Sequence, residues 1–137
     1  MVIKEAMRLY PPAWSLGREA VRDCTIGGHR ITAGTQVYVA PWLAHRDARY
    51  FDEPEAFKPE RWADEFEKRL PRFAYFPFGG GPRQCIGQAF AMMEAVLILA
   101  TIAPRFHLRL APDHTVTPYP SVTLRPKEGV RVILEKR

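Results

Sequence analysis

The sequence predicts an α+β fold with two long helices, small antiparallel strands and a long structured meander. Three observations predict it. An amphipathic run opens the chain, a longer apolar run follows a glycine-rich stretch, and short alternating segments bounded by turn residues lie between and after these runs. With 13 prolines in 137 residues, much of the remaining backbone is expected to be irregular, within one domain of modest core.

The N-terminal part is predicted to contain one helix and several short strands. The helix spans about Val2 to Leu9, because Pro11 and Pro12 cannot continue it. The elements expected after it, in chain order, are a strand over residues 18–24, a turn over 26–29, a pair of strands around Ala33 and Gly34, a short helical segment within 42–50, and a loop-like stretch over 51–78.

The pattern changes to helical after Cys85. Phe90, Met93, Leu97 and Thr101 follow helical spacing, Pro104 ends the run, and the apolar stripe is interpreted as the core-facing side of a helix. The segments expected after it are a strand over residues 105–110 and a hairpin over residues 121–136 that turns at Pro-Lys-Glu-Gly.

Composition and charge argue against several classes of function. The net charge of +5 is spread along the chain without a block of Lys and Arg, so no nucleic-acid partner is predicted. Two cysteines, Cys24 and Cys85, occur without a CxxC or Cys/His cluster, which disfavours a zinc site. The longest apolar stretch, residues 90–103, is short and interrupted by Glu94, so no membrane segment is predicted in this part.

The first residues indicate a part of a longer protein. The run MVIKEAMRLYPP begins inside an amphipathic helix with no capping residue before it. Residues 1–137 are therefore expected to be the C-terminal portion of one larger domain. The compartment stays open, with the cytoplasm expected for a bacterial protein.

The stretch FPFGGGPRQCIGQAF, residues 76–90, surrounds one cysteine with an open loop. Four roles are open for Cys85: a buried structural thiol, a nucleophile at a helix N-terminus, part of a phosphate loop, or an axial metal ligand. A phosphate loop is disfavoured because no Lys followed by Ser or Thr comes after the glycines. A nucleophile would need a histidine partner, which the sequence cannot position.

The flanking residues favour a thiolate that lies beneath a large flat cofactor. The glycines at 79–81 would let the backbone approach the cofactor face, because they carry no side chains. A helix that opens at residues 86–88 would stabilise the thiolate charge. Arg83 would supply a cation for anionic groups at the cofactor edge.

This stretch resembles the cysteine-ligand signature of the cytochrome P-450 haem-thiolate monooxygenases. The signature is Phe, two residues, Gly, one residue, Arg, one residue, Cys, one residue, Gly, and residues 78–87 match it completely. Two further motifs occur in family order: KEAMR resembles the Glu-x-x-Arg helix of the family, and FKPERW resembles its meander motif. The resemblance covers essentially the whole chain.

The resemblance implies a haem b cofactor and roles for the residues around it. Cys85 would be the proximal thiolate, and therefore both the iron ligand and the catalytic residue, with Phe78 packed near its sulfur. The other implied cofactor-binding residues are Gly79 and Gly87 in the loop, and Arg83, Arg18 and His45 toward the haem propionates. Arg18 as an ordinary strand arginine and His45 as a structural histidine remain the alternatives. Cys24 is interpreted as structural.

The resemblance also implies a charge network and a substrate pocket. Glu5 and Arg8 share one helix face, and in the family the arginine at the position of Arg61 closes a network with them. The pocket walls would be formed by Ala13, Trp14, Ser15, Leu16 and Val122. Small and apolar walls indicate a small apolar organic substrate.

The implied reaction is monooxygenation with O2 and with electrons from a flavin or iron–sulfur donor. The meander contains four basic residues that could form a docking face for an acidic donor: Lys58, Lys68, Arg69 and Arg72. The alternative is that these residues are only solvated surface charges. Family members are far longer, and the helix whose acid–alcohol pair handles oxygen has no counterpart here. Two alternatives stay open for this reason: a non-catalytic haem-binding fragment and a haem-free interaction domain.

Overall fold

Four α-helices and eight short strands make up the computed structural model, which describes all 137 residues. The helices are α1 (Val2–Leu9), α2 (Pro41–Ala44), α3 (Phe66–Arg69) and α4 (Gln88–Ile102), and 3-10 turns lie at Pro59–Trp62 and Gly81–Arg83. The strands are β1 (Leu16–Glu19), β2 (Cys24–Ile26), β3 (His29–Ile31), β4 (Gln36–Val39), β5 (Phe106–Leu110), β6 (Pro118–Pro120), β7 (Leu124–Pro126) and β8 (Val132–Lys136). They form four separate antiparallel pairs: β1 with β4, β2 with β3, β5 with β8, and β6 with β7.

Helix α1 confirms the first predicted element. Its buried residues are Glu5, Arg8 and Leu9, which share one face because they lie three and four positions apart. The helix ends before Pro11, as the missing amide hydrogen of proline requires. The buried face is therefore largely ionic, and this decides what the helix packs against.

The structure corrects two of the predicted strands. The alternation over residues 18–24 is divided between β1 and β2, and the strands on either side of Gly34 pair with other partners rather than with each other. The cause is a two-residue turn at Gly27 and Gly28, both with positive φ, which folds β3 back onto β2. Strand β4 then returns to β1.

The predicted C-terminal hairpin is also corrected. Residues 121–136 do not pair with each other: β7 pairs with the preceding β6, and β8 pairs with β5 over five residues. Strand β5 offers β8 a longer partner with matched apolar positions, such as Leu108 opposite Leu134. The Pro-Lys-Glu-Gly turn is reduced to a local bridge between Lys127 and Gly129.

The core is small and lies between α1 and the meander. Twelve of the 137 residues are buried, and the apolar ones are Leu9, Phe51, Trp62, Ala74 and Phe76. The stretch predicted as loop-like is thus an aromatic cluster: the ring of Trp62 lies 4.5 Å from that of Tyr75 and 5.9 Å from that of Phe66, centroid to centroid. This cluster fixes the segment that leads into the cysteine loop.

Helix α4 contributes no buried residue in this chain. Phe90, Met93 and Leu97, interpreted from the sequence as the core-facing stripe, are each more than half exposed. None of the four helices has both the length and the apolar character needed to cross a membrane.

Candidate functional site

The loop before Cys85 is shaped by two glycines in the left-handed backbone region. Gly79 has φ +73° and Gly81 has φ +70°, which a residue with a side chain adopts only with strain. Two hydrogen bonds close the loop: the Gly79 amide donates to the Phe76 carbonyl, and the Cys85 amide donates to the Phe78 carbonyl, both at 2.9 Å. The glycines are thus required by the turn itself.

Cys85 lies between the 3-10 turn at Gly81–Arg83 and the first turn of α4. Cys85 is exposed, and α4 begins three positions later at Gln88, with Gly87 as its N-cap. The free amide groups at the start of a 15-residue helix favour negative charge nearby. The position is therefore suited to a thiolate, and the reading of Cys85 as a buried inert thiol does not apply to this chain.

A groove of about 310 Å³ brings together many of the residues singled out by the sequence. Its lining contains Ala13, Leu16, Arg18, Phe78, Gly79, Arg83 and Cys85, with Pro12, Pro77 and Thr123. Four separate segments contribute: the turn after α1, strand β1, the cysteine loop, and the turn between β6 and β7. The hydrogen bond from the Leu124 amide to the Pro12 carbonyl, 2.8 Å, holds the last of these against the first.

Five of the residues predicted for the cofactor and the substrate pocket lie outside this lining, and the fifth, His45, is described below. The indole N–H of Trp14 donates to the Ser121 carbonyl at 2.9 Å, so Trp14 holds the β6–β7 turn in place through this hydrogen bond. Ser15 is half-buried beside it. Val122 is 96% exposed, and its neighbour Thr123 lines the groove instead. A Cβ placed on Gly87 would lie 3.7 Å from the Cys85 sulfur, so Gly87 adjoins the thiol.

The two arginines of the groove carry no carboxylate partner. Arg18 is exposed on β1 and donates only to the carbonyl of its neighbour Gly17, at 2.7 Å. Arg83 is exposed and makes no side-chain hydrogen bond within the chain. Two positive charges are thus free to meet an anionic ligand beside the thiol.

A second groove of about 380 Å³ continues the first, because Leu16 and Arg18 line both. Ala44 lines this second groove, but the adjacent His45 does not. The side chain of His45 is fully buried, and its Nε2 accepts a hydrogen bond from the Phe76 amide at 2.9 Å. Its Nδ1 is buried without a hydrogen-bond partner.

Glu5 is the centre of a buried network between α1 and the 3-10 turn at Pro59–Trp62. Its carboxylate accepts five hydrogen bonds, two from Arg8, one each from the side chains of Arg61 and Trp62, and one from the Lys58 amide, at 2.8–3.1 Å. The structure therefore brings together Glu5, Arg8 and Arg61 as the motifs predicted. Trp62 and the Lys58 amide are additional members that sequence reasoning missed.

Burial acts on the pKa values of two buried groups, Glu5 and His45. Burial acts to raise the pKa of Glu5, but the hydrogen bonds from Arg8, the Lys58 amide, Trp62 and Arg61 outweigh it and hold the pKa at about 2. For His45, burial lowers the pKa to about 4, and the nearby charges of Arg8 and Arg46 act in the same direction. Glu5 is thus ionised and His45 neutral at ordinary pH.

Comparison with known proteins identifies the class of this chain. The family model for cytochrome P450 matches residues 1–133. Cyclooctatin synthase of Streptomyces melanosporofaciens is 42% identical over 123 residues, which are 90% of this chain and 27% of that protein. The putative cytochrome P450 132 of Mycobacterium tuberculosis is 44% identical over 135 residues, 98% of this chain and 29% of that protein.

Solved structures agree with this. The retinoic acid-bound cyanobacterial CYP120A1 has a TM-score of 0.91 at 34% identity and covers 99% of this chain. The chain belongs to the cytochrome P450 family, whose members are haem-thiolate monooxygenases. It spans 27–32% of the length of these three relatives.

Proposed function

We propose that this chain provides the cysteine-ligand part of a haem-thiolate monooxygenase, which inserts one atom of O2 into a small apolar organic substrate. The observation that carries the proposal is the groove at Cys85, where an exposed thiol, two unpaired guanidinium groups and apolar walls meet. Family membership supports the same class of reaction.

The residues present fit a haem b group. A flat macrocycle with two carboxylates needs a soft sulfur ligand for its iron, cations at its edge and apolar contacts on its faces. Cys85 offers the sulfur, Arg18 and Arg83 offer the cations, and Leu16 and Phe78 offer apolar surface in one groove. When bound, the haem would supply the binding and activation of O2.

The chain's own groups would have distinct tasks. Cys85 would act as the thiolate ligand, with its negative charge favoured by the N-terminus of α4. Arg18 and Arg83 would neutralise the propionates through charge-assisted hydrogen bonds. Ala13 and Leu16 would keep water from one side of the substrate space. Trp14 would act on that wall indirectly, through its bond to Ser121.

Electrons would arrive from a flavin or iron–sulfur donor at the basic meander. Of the four predicted cations, Lys58 is paired with Glu53 and Lys68 with Glu65. Arg69 and Arg72 have no carboxylate partner and lie over the rings of Phe66 and Phe73. These two arginines are therefore the stronger candidates for contacts with an acidic donor.

Isotope labelling tests the proposal. The haem-loaded protein that contains this chain would receive 18O2, an electron donor and a panel of apolar hydrocarbons. The balanced reaction consumes the substrate C–H, O2, two electrons and two protons, and yields an alcohol and water. We expect one labelled oxygen in the alcohol and one in water.

Two outcomes would replace the proposal. A thiolate haem without oxygenated product, with every donor and with added peroxide, would favour the non-catalytic haem-binding alternative. A protein that binds no haem would favour the haem-free interaction domain.

A further inference from the structure

His45 connects the buried charge network to the cysteine loop. Its backbone carbonyl accepts a hydrogen bond from Nη1 of Arg8 at 2.9 Å. Its ring Nε2 accepts from the Phe76 amide, also at 2.9 Å. A single fully buried residue thus contacts the Glu5–Arg8 pair on one side and the segment before the loop on the other.

The Phe76 amide is the last backbone donor before Pro77 that can hold this segment in place. Pro77 follows it and has no amide hydrogen, so the chain cannot be held there by the next residue. The Phe76 carbonyl in turn accepts from Gly79, and the Phe78 carbonyl accepts from Cys85. A displacement of Phe76 would therefore pass to Cys85 through two hydrogen-bonded turns.

The ring of His45 is fixed in the orientation that this contact needs. It lies 5.0 Å from the ring of Tyr75 and 5.2 Å from that of Phe76, centroid to centroid. An amide donor requires a lone pair on Nε2, so the neutral ring carries its proton on Nδ1. Burial beside Arg8 and Arg46 favours this neutral form.

We propose that His45 is a positioning residue. Its neutral ring binds the Phe76 amide and thereby holds the cysteine loop in a fixed position relative to the Glu5–Arg8 pair. In this position the Cys85 sulfur can ligate iron. The inference rests on the proposed function, because it takes Cys85 as the ligand. It differs from the propionate contact implied by the family resemblance, since the ring packs against Tyr75 and Phe76 and does not line either groove.

Two substitutions distinguish the effect of the hydrogen bond to the Phe76 amide from the effect of packing by the ring. His45→Phe keeps a ring of similar size but removes the acceptor, whereas His45→Gln places an amide oxygen near the position of Nε2. His29→Phe, at an exposed histidine on β3, is the matched control. The readout is the red-shifted Soret band of the reduced, carbonyl-bound thiolate haem, measured with the melting temperature in the haem-loaded protein that contains this chain.

We expect His45→Gln and His29→Phe to keep the thiolate band, and His45→Phe to lose most of it while haem remains bound. A folded His45→Phe variant with the full band would overturn the inference. If the unmodified protein itself lacks the band, the proposed function fails instead, so the two failures are distinguishable.

A measurement on the unmodified protein covers the case in which His45→Phe does not fold. In the diamagnetic ferrous carbonyl form, an N–H···N hydrogen bond transmits a scalar coupling between its two 15N nuclei. We expect this coupling between the Phe76 amide and Nε2 of His45, with a proton on Nδ1. A protonated Nε2 or an absent coupling would overturn the positioning role.

Discussion

Arg8 and Glu5, one helical turn apart on α1, form a bidentate ion pair whose side chains are both fully buried. Nε donates to one carboxylate oxygen and Nη2 to the other, each at 2.9 Å. The remaining donors of Arg8 bond the carbonyls of His45, Pro54 and Ala56, so all five N–H groups have acceptors. Such a pair tolerates burial because it is fully compensated, and the loss of one member leaves a buried charge.

The first prediction concerns the loss of stability when Glu5 or Arg61 is removed. Glu5→Ala leaves the Arg8 guanidinium buried without its counter-ion, which costs about 3–5 kcal/mol against a net stability of about 5–15 kcal/mol. Arg61→Ala removes a cation that is 3.1 Å from the same carboxylate. Both variants should melt at clearly lower temperature and give little haem-loaded, soluble protein.

The exposed pair of Glu65 and Lys68 is the matched control. It has the same spacing of three residues, but both side chains are 70% exposed or more. Glu65→Ala should leave the melting temperature nearly unchanged, since exposed ion pairs contribute little. Equal melting of Glu5→Ala and Glu65→Ala would contradict a structural role for the buried network.

The second prediction concerns acid stability. The pKa of Glu5 is lowered from 4.5 to about 2 in the folded chain, so its contribution is fully present above about pH 4.5 and is lost as the pH falls toward 2. Glu5→Gln cannot titrate. The difference in melting temperature between the two proteins should therefore shrink as the pH falls through this window. A difference that stays constant from pH 6 to pH 3 would exclude Glu5 as the titrating group.

The third prediction concerns residues 1–137 produced alone. Apart from Glu94, helix α4 is uncharged along its whole length, and it buries no residue within this chain. Such a surface drives association. We expect self-association in sedimentation velocity, weak haem binding and no hydroxylation.

A triple substitution tests the cause. Changing Phe90, Met93 and Leu97 to Ser should reduce association, whereas Val21→Ser, at a 90% exposed site remote from α4 in sequence, should not. A monomeric, cooperatively melting and catalytically active 137-residue protein would contradict the third prediction.

The fourth prediction concerns electron delivery. Reversing Arg69 and Arg72 to Glu should slow reduction by an acidic donor, most strongly at low salt, because charge steering is screened beyond about 8 Å at physiological ionic strength. Turnover with added peroxide, which bypasses the donor, should change little. The control is Arg22→Glu, at an exposed arginine between β1 and β2. If the reduction rate changes neither with the charge reversal nor with the salt concentration, the docking face lies elsewhere.

Local sequence patterns predicted the elements whose causes are local. The prolines after Leu9 bound α1, and Glu5 and Arg8 share a face of it because of their spacing. The contact with Arg61 was expected only from the resemblance of two motifs to a known family. The sequence predicted an open loop before Cys85 but explained its glycines by the approach of a cofactor, whereas the structure shows that Gly79 and Gly81 are also needed for positive φ in the turn.

Pairings that depend on distant partners could not be predicted in this way. Strand β8 joins β5, about 25 residues earlier, because that partner is longer than the one across the local turn. The position of His45 depends on the Phe76 amide, 31 residues away, which no spacing rule relates to it. The hydrogen bond from Trp62 to Glu5 joins residues 57 positions apart and likewise depends on the fold.

The reduced, carbonyl-bound spectrum of two cysteine variants tests the central claim most directly. Cys85 adjoins the groove and the start of α4, whereas Cys24 is exposed on β2. In the haem-loaded protein that contains this chain, Cys85→Ser should abolish the red-shifted thiolate band entirely, and Cys24→Ser should leave it intact. A Cys85→Ser variant that keeps the full band would show that Cys85 is not the iron ligand.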